Sequence, residues 1–392
     1  MSEDSSLRSA LAGVTSTGSK RSDVLFGEGA VDVPLRMRRS AGCRVWDDRG
    51  REYVDYLMGL GAVALGYGYP AVAEAAAQAA RDGGVGPLPP VLEEEVAAEI
   101  ARLIPWAEQV RFLKTGAEAM AAAVRLARVA TGRDLVLGCG YHGWLDWCQG
   151  AAGVPAATRA HYGELPFNDA ERARAIIRAA GDRLAAVAFE PVIVQPPDTE
   201  WLAVLREETA RVGAVLILDE VKTVCRLAVG GGAERFGIRP DLVVLGKAIA
   251  NGFPLAVVGG SAALMSGVSR TWISSTLATE FVSLAAARAT LHQMVKQDVP
   301  AHIARVGGQL FAGLHRLHAR YPSVITGVGG LPEMCFLQFT DESLSRALAT
   351  GAAGRGVLFK RSAYNFTSFA HDTAVVEHTL GALDESLAPL AG

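Results

Sequence analysis

The chain has 392 residues, of which half are hydrophobic and a fifth charged, and its formal net charge is −3. A chain of this size can bury a large core and divides into more than one structural unit. The small net charge, without a basic stripe, argues against nucleic acid as a partner. Because the apolar runs are interrupted and the N-terminus lacks the order of a signal peptide, we expect no membrane partner and a cytoplasmic location.

Five cysteines are scattered along the sequence without a Cys-x-x-Cys pair: Cys43, Cys139, Cys148, Cys225 and Cys335. An odd, dispersed set in a chain of this length predicts reduced thiols that mostly belong to the core. We therefore expect neither a disulfide framework nor a metal site.

The N-terminal region changes character in three steps. Residues 1–22 are rich in Ser, Gly and Thr, which predicts a flexible segment. Residues 43–55 alternate apolar and polar side chains around Asp48-Arg49-Gly50, which predicts a hairpin. The alanine-rich stretch 70–81 predicts a helix that ends at Gly83-Gly84.

From about residue 90 to 260 the pattern alternates between strand and helix. Helices are predicted at 91–103 and 117–130, the second closing at Gly132, and later segments add a smaller C-terminal α+β unit. This alternation favours an α/β fold with a mostly parallel sheet and helices on both faces. The predicted strands are 110–113, 134–137, 185–189, 215–218 and 242–245.

Two of these apolar runs each end in an ionisable residue. The run 215–218 leads to Asp219, and the run 242–245 leads through Gly246 to Lys247. In an open α/β sheet, ligands bind outside the C-terminal ends of the strands. A lysine there can form a Schiff base with pyridoxal 5′-phosphate (PLP), whose pyridinium nitrogen an aspartate can pair with. Taken singly, a solvated lysine and a helix-capping aspartate are the alternatives, but the pair favours a cofactor site.

A second pattern, Thr115-Gly116-Ala117, lies between a predicted strand and a predicted helix. A glycine turn that opens a helix presents free N–H groups and the positive end of the helix dipole, which suits a phosphate. Thr115 adds a hydroxyl. Because Glu118 follows three residues later, the alternative is a purely structural capping box.

Three further positions follow strands or site residues. Tyr141 can stack on a cofactor ring or pack under a loop, and Val221 can lie against a flat ring or belong to the core. Glu190 can bind a group in the site or only cap a turn. We expect His142 to support a neighbouring residue rather than act as a general base.

Six segments together resemble the class III aminotransferases, and within them the glutamate-1-semialdehyde aminomutase branch. The resemblance covers roughly residues 25–385. The segments are FLKTGAEAM (112–120), YHG (141–143), AFEPV (188–192), LILDEV (216–221), LGKAIANGFPLAVVGG (245–260) and STLATE (275–280).

This resemblance implies the fold type I architecture of PLP enzymes, with a seven-stranded, mostly parallel sheet. A PLP-binding large domain would span 61–295, and 23–60 would join 296–392 in a smaller α+β domain. It also implies a homodimer with active sites shared at the interface. The implied catalytic residues are Lys247, as the Schiff-base lysine, and Asp219. The implied cofactor contacts are those two residues with Thr115, Gly116, Ala117, Tyr141, Glu190, Val221 and, from the partner subunit, Thr276.

The sequence departs from the family pattern at several places. The phosphate loop is Thr-Gly-Ala instead of Ser-Gly-Thr or Ser-Gly-Ser, and Ile193-Val194-Gln195 stands where the aminomutases have an asparagine. Thr279-Glu280-Phe281 replaces the usual Gly-Asn-Pro, which changes the site wall. No arginine is an evident clamp for a substrate carboxylate; the candidates, each more readily explained as structural, are Arg361, Arg36 and Arg38.

Three functions follow from these expectations. The first is a PLP-dependent aminotransferase that works by a ping-pong mechanism on a small-molecule amino donor and a keto or aldehyde acceptor. The altered wall suggests an acceptor of specialised metabolism. The second is an aminomutase or a racemase/epimerase, which would use the same lysine and aspartate. The third is a protein that binds PLP without turnover.

Overall fold

A computed structural model describes residues 10–391 and divides the chain into two compact units. The predicted flexible segment 1–22 lies outside the described residues as far as residue 9, and a helix begins at Ser22. One unit contains the chain as far as Leu60, Gly66–Gly68 and the chain from Ile303, and the other contains Gly61–Leu65 and Tyr69–His302.

The second unit is built on a seven-stranded sheet with the spatial order β1-β7-β6-β5-β4-β2-β3. Six of these strands run in the same direction, whereas β7 is antiparallel to both of its neighbours. This is the expected mostly parallel sheet. The strands are β1 Gln109–Leu113, β2 Leu135–Cys139, β3 Tyr162–Glu164, β4 Leu184–Phe189, β5 Val215–Asp219, β6 Leu242–Leu245 and β7 Ala256–Gly260.

The central strands β4, β5 and β6 are buried along their whole length. Parallel strands covered by helices on both faces need side chains that are apolar in both directions, which explains their continuous apolar runs. All five strands predicted from the sequence are confirmed within two residues at each end. The sequence did not mark β3 and β7 as strands, because one has only three residues and the other ends in two glycines.

Helices cover this sheet, and several end where the sequence predicted. The helix Pro70–Arg81 and the helix Val91–Leu103 match the expectation, and Gly132 in the left-handed conformation closes Gly116–Thr131. The helices of this unit are Pro70–Arg81, Val91–Leu103, Gly116–Thr131, Ala156–Arg159, Ala170–Ala180, Thr199–Val212, Gly231–Phe236, Ala262–Met265 and Phe281–Lys296, and Val299–Arg320 begins in it.

The other unit has two small sheets and its own apolar core. The predicted hairpin is present as Arg44–Asp47 paired antiparallel with Glu52–Asp55. The remaining strands are Met37–Ala41, Ile325–Leu331, Met334–Phe339, Val357–Leu358 and Asn365–Phe366, and the helices are Ser22–Phe26, Met58–Gly61, Glu342–Gly354 and Thr373–Leu387.

Two sequence expectations concern the chain as a whole. All five cysteines are free thiols, and only Cys148 is not fully buried. Burial raises the pKa of the Cys139 thiol to about 12 and that of the Cys148 thiol to about 11. None of the helices between residues 10 and 391 combines the length and apolar character that a membrane span needs.

Candidate active site

Lys247 follows β6 after a single glycine, Gly246. Its φ of 47° lies in the left-handed region, where an ordinary L-residue costs about 1–2 kcal/mol. Such strain is typical of functional positions that the surrounding structure holds in place. Burial, and then the charge of Lys222, lowers the pKa of the Lys247 amine to about 8. A larger fraction of this amine is therefore unprotonated near neutral pH than in a solvated lysine.

Asp219 is the last residue of β5, and its side chain is buried. Its two carboxylate oxygens accept hydrogen bonds from His142 Nδ1 at 2.8 Å and from the backbone N–H of Val221 at 3.1 Å. The carboxylate is thus held from two sides by hydrogen-bond donors.

His142 reaches Asp219 from the loop that follows β2. Its second ring nitrogen, Nε2, is buried without a hydrogen-bond partner among residues 10–391. The nitrogen that faces the Asp219 carboxylate is Nδ1, which donates the hydrogen bond to it. Trp147 lies nearly parallel to the ring, with centroids 6.2 Å apart and an interplanar angle of 19°. His142 therefore supports Asp219, as the sequence suggested.

Val221 packs between two glycines. A Cβ atom added to Gly116 would come within 3.0 Å of a Val221 methyl group, and one added to Gly246 within 3.3 Å. The close approach at Gly116 leaves little room for a side chain. Val221 therefore connects the loop before Lys247 with the start of the helix Gly116–Thr131.

Thr115 is the N-cap of that helix and forms a complete capping box with Glu118. The Thr115 hydroxyl donates to the Glu118 carboxylate at 3.0 Å and accepts from the Glu118 N–H at 3.2 Å. Because this hydroxyl is already engaged, the open donors of the loop are the N–H groups of Gly116 and Ala117, at the positive end of a 16-residue helix. Both the structural and the ligand-binding alternatives for this loop are thus compatible with its geometry.

Glu190 follows β4, and its carboxylate is nearly buried. It accepts the backbone N–H of Tyr141 at 2.9 Å and pairs with Lys222 Nζ at 2.8 Å. A Cβ atom on Gly140 would come within 2.6 Å of the Glu190 carboxylate, so glycine is needed there. The ring of Tyr141 itself is 66% exposed.

The structure does not bring Thr276 together with these residues. Thr276 lies exposed in the loop before the helix Phe281–Lys296, and no hydrogen bond joins it to another residue of the described chain. Glu280 belongs to the segment that departs from the family's usual Gly-Asn-Pro, and it has a structural role. Its carboxylate accepts the N–H groups of Val282 and Ser283 at the start of this helix and pairs with Lys114 Nζ at 2.6 Å.

The candidate clamp arginines have partners of their own. Arg361 donates to the carbonyl of Val24 and pairs with Glu342, and Arg36 pairs with Asp48. These contacts lie within the unit that contains the chain termini and favour a structural role. No contact of Arg38 assigns it to substrate binding.

Two charged residues of the site, Lys222 and Arg226, were not predicted from the sequence. Lys222 comes three residues after Asp219, and Arg226 is fully buried with its Nη2 donating to the carbonyl of Gly61 at 3.1 Å. The signal was present in the segment 219–226, which places two cations directly after a strand that delivers a site aspartate. Both cations act electrostatically on Lys247.

Comparison with known proteins gives a consistent result. Residues 26–388 match the family described as Aminotransferase class-III. A glutamate-1-semialdehyde 2,1-aminomutase of Pyrobaculum arsenaticum is 34% identical over 91% of this chain and 92% of its own length. The FumI protein of Sphingopyxis sp. MTA144, solved in its PLP internal aldimine form, superposes with a TM-score of 0.92 at 26% identity, covering 98% of this chain and 96% of that one. An omega-transaminase from Sphaerobacter thermophilus gives 0.89 at 25% identity, covering 100% and 98%.

The bond from His142 to Asp219 can be tested through stability. In His142→Phe the buried carboxylate loses its side-chain donor, and we expect the free energy of unfolding to fall by about 1–3 kcal/mol. His142→Asn removes more volume but retains an N–H donor close to the position of Nδ1, so it should be the more stable variant. Urea unfolding of both proteins checks this order. If the asparagine variant is the less stable one, packing and not the hydrogen bond explains the histidine.

Proposed function

The chain belongs to the class-III aminotransferase family of PLP-dependent enzymes, and on that premise we propose that it moves an amino group from a small-molecule donor to a keto or aldehyde acceptor. The two half-reactions would follow one another in a ping-pong cycle. The observation that carries the proposal is the placement of Lys247, with its lowered pKa, beside the strand whose end carries the doubly held carboxylate of Asp219.

The cofactor is pyridoxal 5′-phosphate, and the residues present fit it. Its aldehyde needs an amine that is not fully protonated, which Lys247 offers. Its ring nitrogen needs a carboxylate, which Asp219 offers. Its phosphate needs N–H donors at a helix start, which Gly116 and Ala117 offer. When bound, PLP supplies an electrophilic carbon for the amine and a ring that accepts electrons from the reacting carbon.

We assign the proton transfer to Lys247. Burial and the charge of Lys222 lower the pKa of its amine to about 8, so the neutral form is well populated at pH 8. An amine with these properties can attack as a nucleophile and can take a proton from the substrate carbon that carries the amino group, then return it elsewhere. A fully solvated lysine would be protonated at the same pH and would do neither.

The other residues of the site would hold the cofactor and orient its ring. Asp219 would stabilise positive charge on the ring nitrogen of the cofactor, and the N–H of His142 Nδ1 keeps that carboxylate in place. Val221 and Tyr141 would flank the two faces of the ring, and Glu190 fixes the backbone of Tyr141 at 2.9 Å. We therefore infer that these residues line one cofactor site.

We further propose that the enzyme is a homodimer in which Thr276 of each chain completes the phosphate site of the other. Support comes from the exposure of Thr276 and of large apolar side chains that a monomer rarely leaves in water. The loops that carry them meet where the N–H of Phe281 donates to the carbonyl of Gly84 at 2.6 Å. The exposed apolar residues in these loops are Val85, Leu88, Trp272 and Leu277.

The dimer predicts a molar mass in solution of twice the chain mass. Multi-angle light scattering of the PLP-loaded protein measures it directly. Thr276→Val should retain the dimer and bind PLP more weakly, because one phosphate donor is lost. A monomer that binds PLP with full affinity would contradict both the dimer and the role of Thr276.

An aminomutase is the second candidate, because the curated relative from Pyrobaculum arsenaticum carries that name. The segment Ile193-Val194-Gln195 weighs against it, since the aminomutase branch has an asparagine there. Both enzymes would use Lys247 and Asp219 in the same way, so the difference must be found in the fate of the product.

The two functions separate when an amino donor is supplied without an acceptor. A transaminase should consume one equivalent of donor per site, release a carbonyl product and lose the visible absorbance of the PLP form. The measurement combines absorbance with mass-spectrometric identification of the released compound. An isomerised product formed over many turnovers, with no second substrate, would contradict transamination.

Lys247→Ala tests the central assignment. We expect this variant to lose the visible absorbance of the attached cofactor and all turnover, because the amine that would hold the cofactor is removed. The matched control is Lys296→Ala, which removes an exposed lysine from the end of the helix Phe281–Lys296 and should change neither. Full activity in Lys247→Ala would remove the proposed scheme.

A further inference from the structure

The ion pair between Lys222 and Glu190 has no evident task in the fold. Its two charged atoms are 2.8 Å apart, and the side chains are only 11% and 12% exposed. Bringing two charges out of water costs free energy that their attraction only partly returns, so a buried pair is weak evidence for stability. The location of this pair at the site strands calls for a functional explanation.

Lys222 and Lys247 follow neighbouring strands of the sheet. β5 and β6 are adjacent parallel strands, with Asp219 beside Val244, and the two lysines follow them. A methyl group of Val221 lies 3.3 Å from where a Cβ on Gly246 would be. Lys222 follows Val221 in the chain and Lys247 follows Gly246, so the two lysines are neighbours of the two residues that make this contact.

Four charged groups act on the Lys247 amine. Lys222 and Arg226 are cations, and Glu190 and Asp219 are carboxylates, the last of which His142 holds from the other side. Among these groups Lys222 has the largest effect, and it opposes a proton on Lys247. In a largely buried site such charge effects are screened far less than in water.

We propose that Lys222 is a positioning residue of this site: held in place by Glu190, its ammonium charge disfavours a proton on the Nζ of Lys247. The proposal rests on the proposed function, in which Lys247 is the reactive amine. A like charge nearby favours the neutral form of an amine, and the neutral form is the one that attacks a carbonyl and accepts a proton.

Glu190 has two opposing effects in this arrangement. It anchors Lys222 and the backbone of Tyr141, and its own negative charge favours a proton on Lys247. The pair therefore predicts the direction of each effect: removing the Lys222 cation should make Lys247 Nζ easier to protonate, and removing the Glu190 carboxylate should make it harder to protonate.

The experiment is a pH titration of the visible absorbance of the holoenzyme, which reports protonation at Lys247 Nζ. Lys222→Met removes the charge from a side chain of similar length and should raise the midpoint by about one pH unit, the low end of what a nearby charge does. Lys222→Arg retains the charge and should stay close to the wild type. Glu190→Gln should lower the midpoint, and the double variant Lys222→Met/Glu190→Gln should fall between the two single variants.

Several outcomes would overturn the inference. They are an unchanged midpoint in Lys222→Met, an equal rise in Lys222→Arg, and a rise in Glu190→Gln. If Lys222→Met does not fold, Lys222→Gln and Glu190→Gln carry the same test. Failure of the proposed function is recognised separately, because the wild-type absorbance would then be absent or would survive in Lys247→Ala.

Discussion

The register of three neighbouring parallel strands determines what this site can do. In the pairing of β4 with β5, Phe189 lies beside Leu218, and in the pairing of β5 with β6, Asp219 lies beside Val244. The strands therefore end within a residue or two of one another, and the chain that leaves each of them carries Glu190, Asp219 or Lys247. A shift of one residue in either pair would turn these side chains to the other face of the sheet.

The two carboxylates placed there each have a polar partner. The carboxylate of Asp219 has His142, and that of Glu190 has Lys222, so that Lys247 lies among two carboxylates and two cations. Buried charges persist only when they are paired or hydrogen bonded. The result is an amine whose pKa is lowered to about 8, next to a carboxylate that two hydrogen bonds hold in place. Gly140 leaves room for the Glu190 carboxylate, and Gly116 and Gly246 leave room for Val221.

Much of this arrangement can be predicted from the sequence, and the rest has a physical reason for remaining hidden. Continuous apolar runs predicted the central strands and therefore the places of Asp219 and Lys247. The short strand β3 and the glycine-ended β7 gave no comparable signal. The partners of the charged groups depend on strand order: His142 and Asp219 are 77 residues apart in the chain and meet only because the sheet brings their loops together. The capping role of the Thr115 hydroxyl was visible in the sequence as a motif. Only the structure shows that this hydroxyl is engaged with Glu118, which leaves the backbone N–H groups as the open donors of the loop.

Two largely buried lysines lie at this sheet edge, of which Lys247 is proposed to carry the cofactor and Lys222 only to supply charge. The most direct measurement is to reduce the holoenzyme with borohydride and to locate the attached pyridoxyl group by mass spectrometry of its peptides. We expect the group on the peptide that contains Lys247, in one copy per chain, with the Lys222 peptide unmodified. A pyridoxyl group on Lys222 would contradict it.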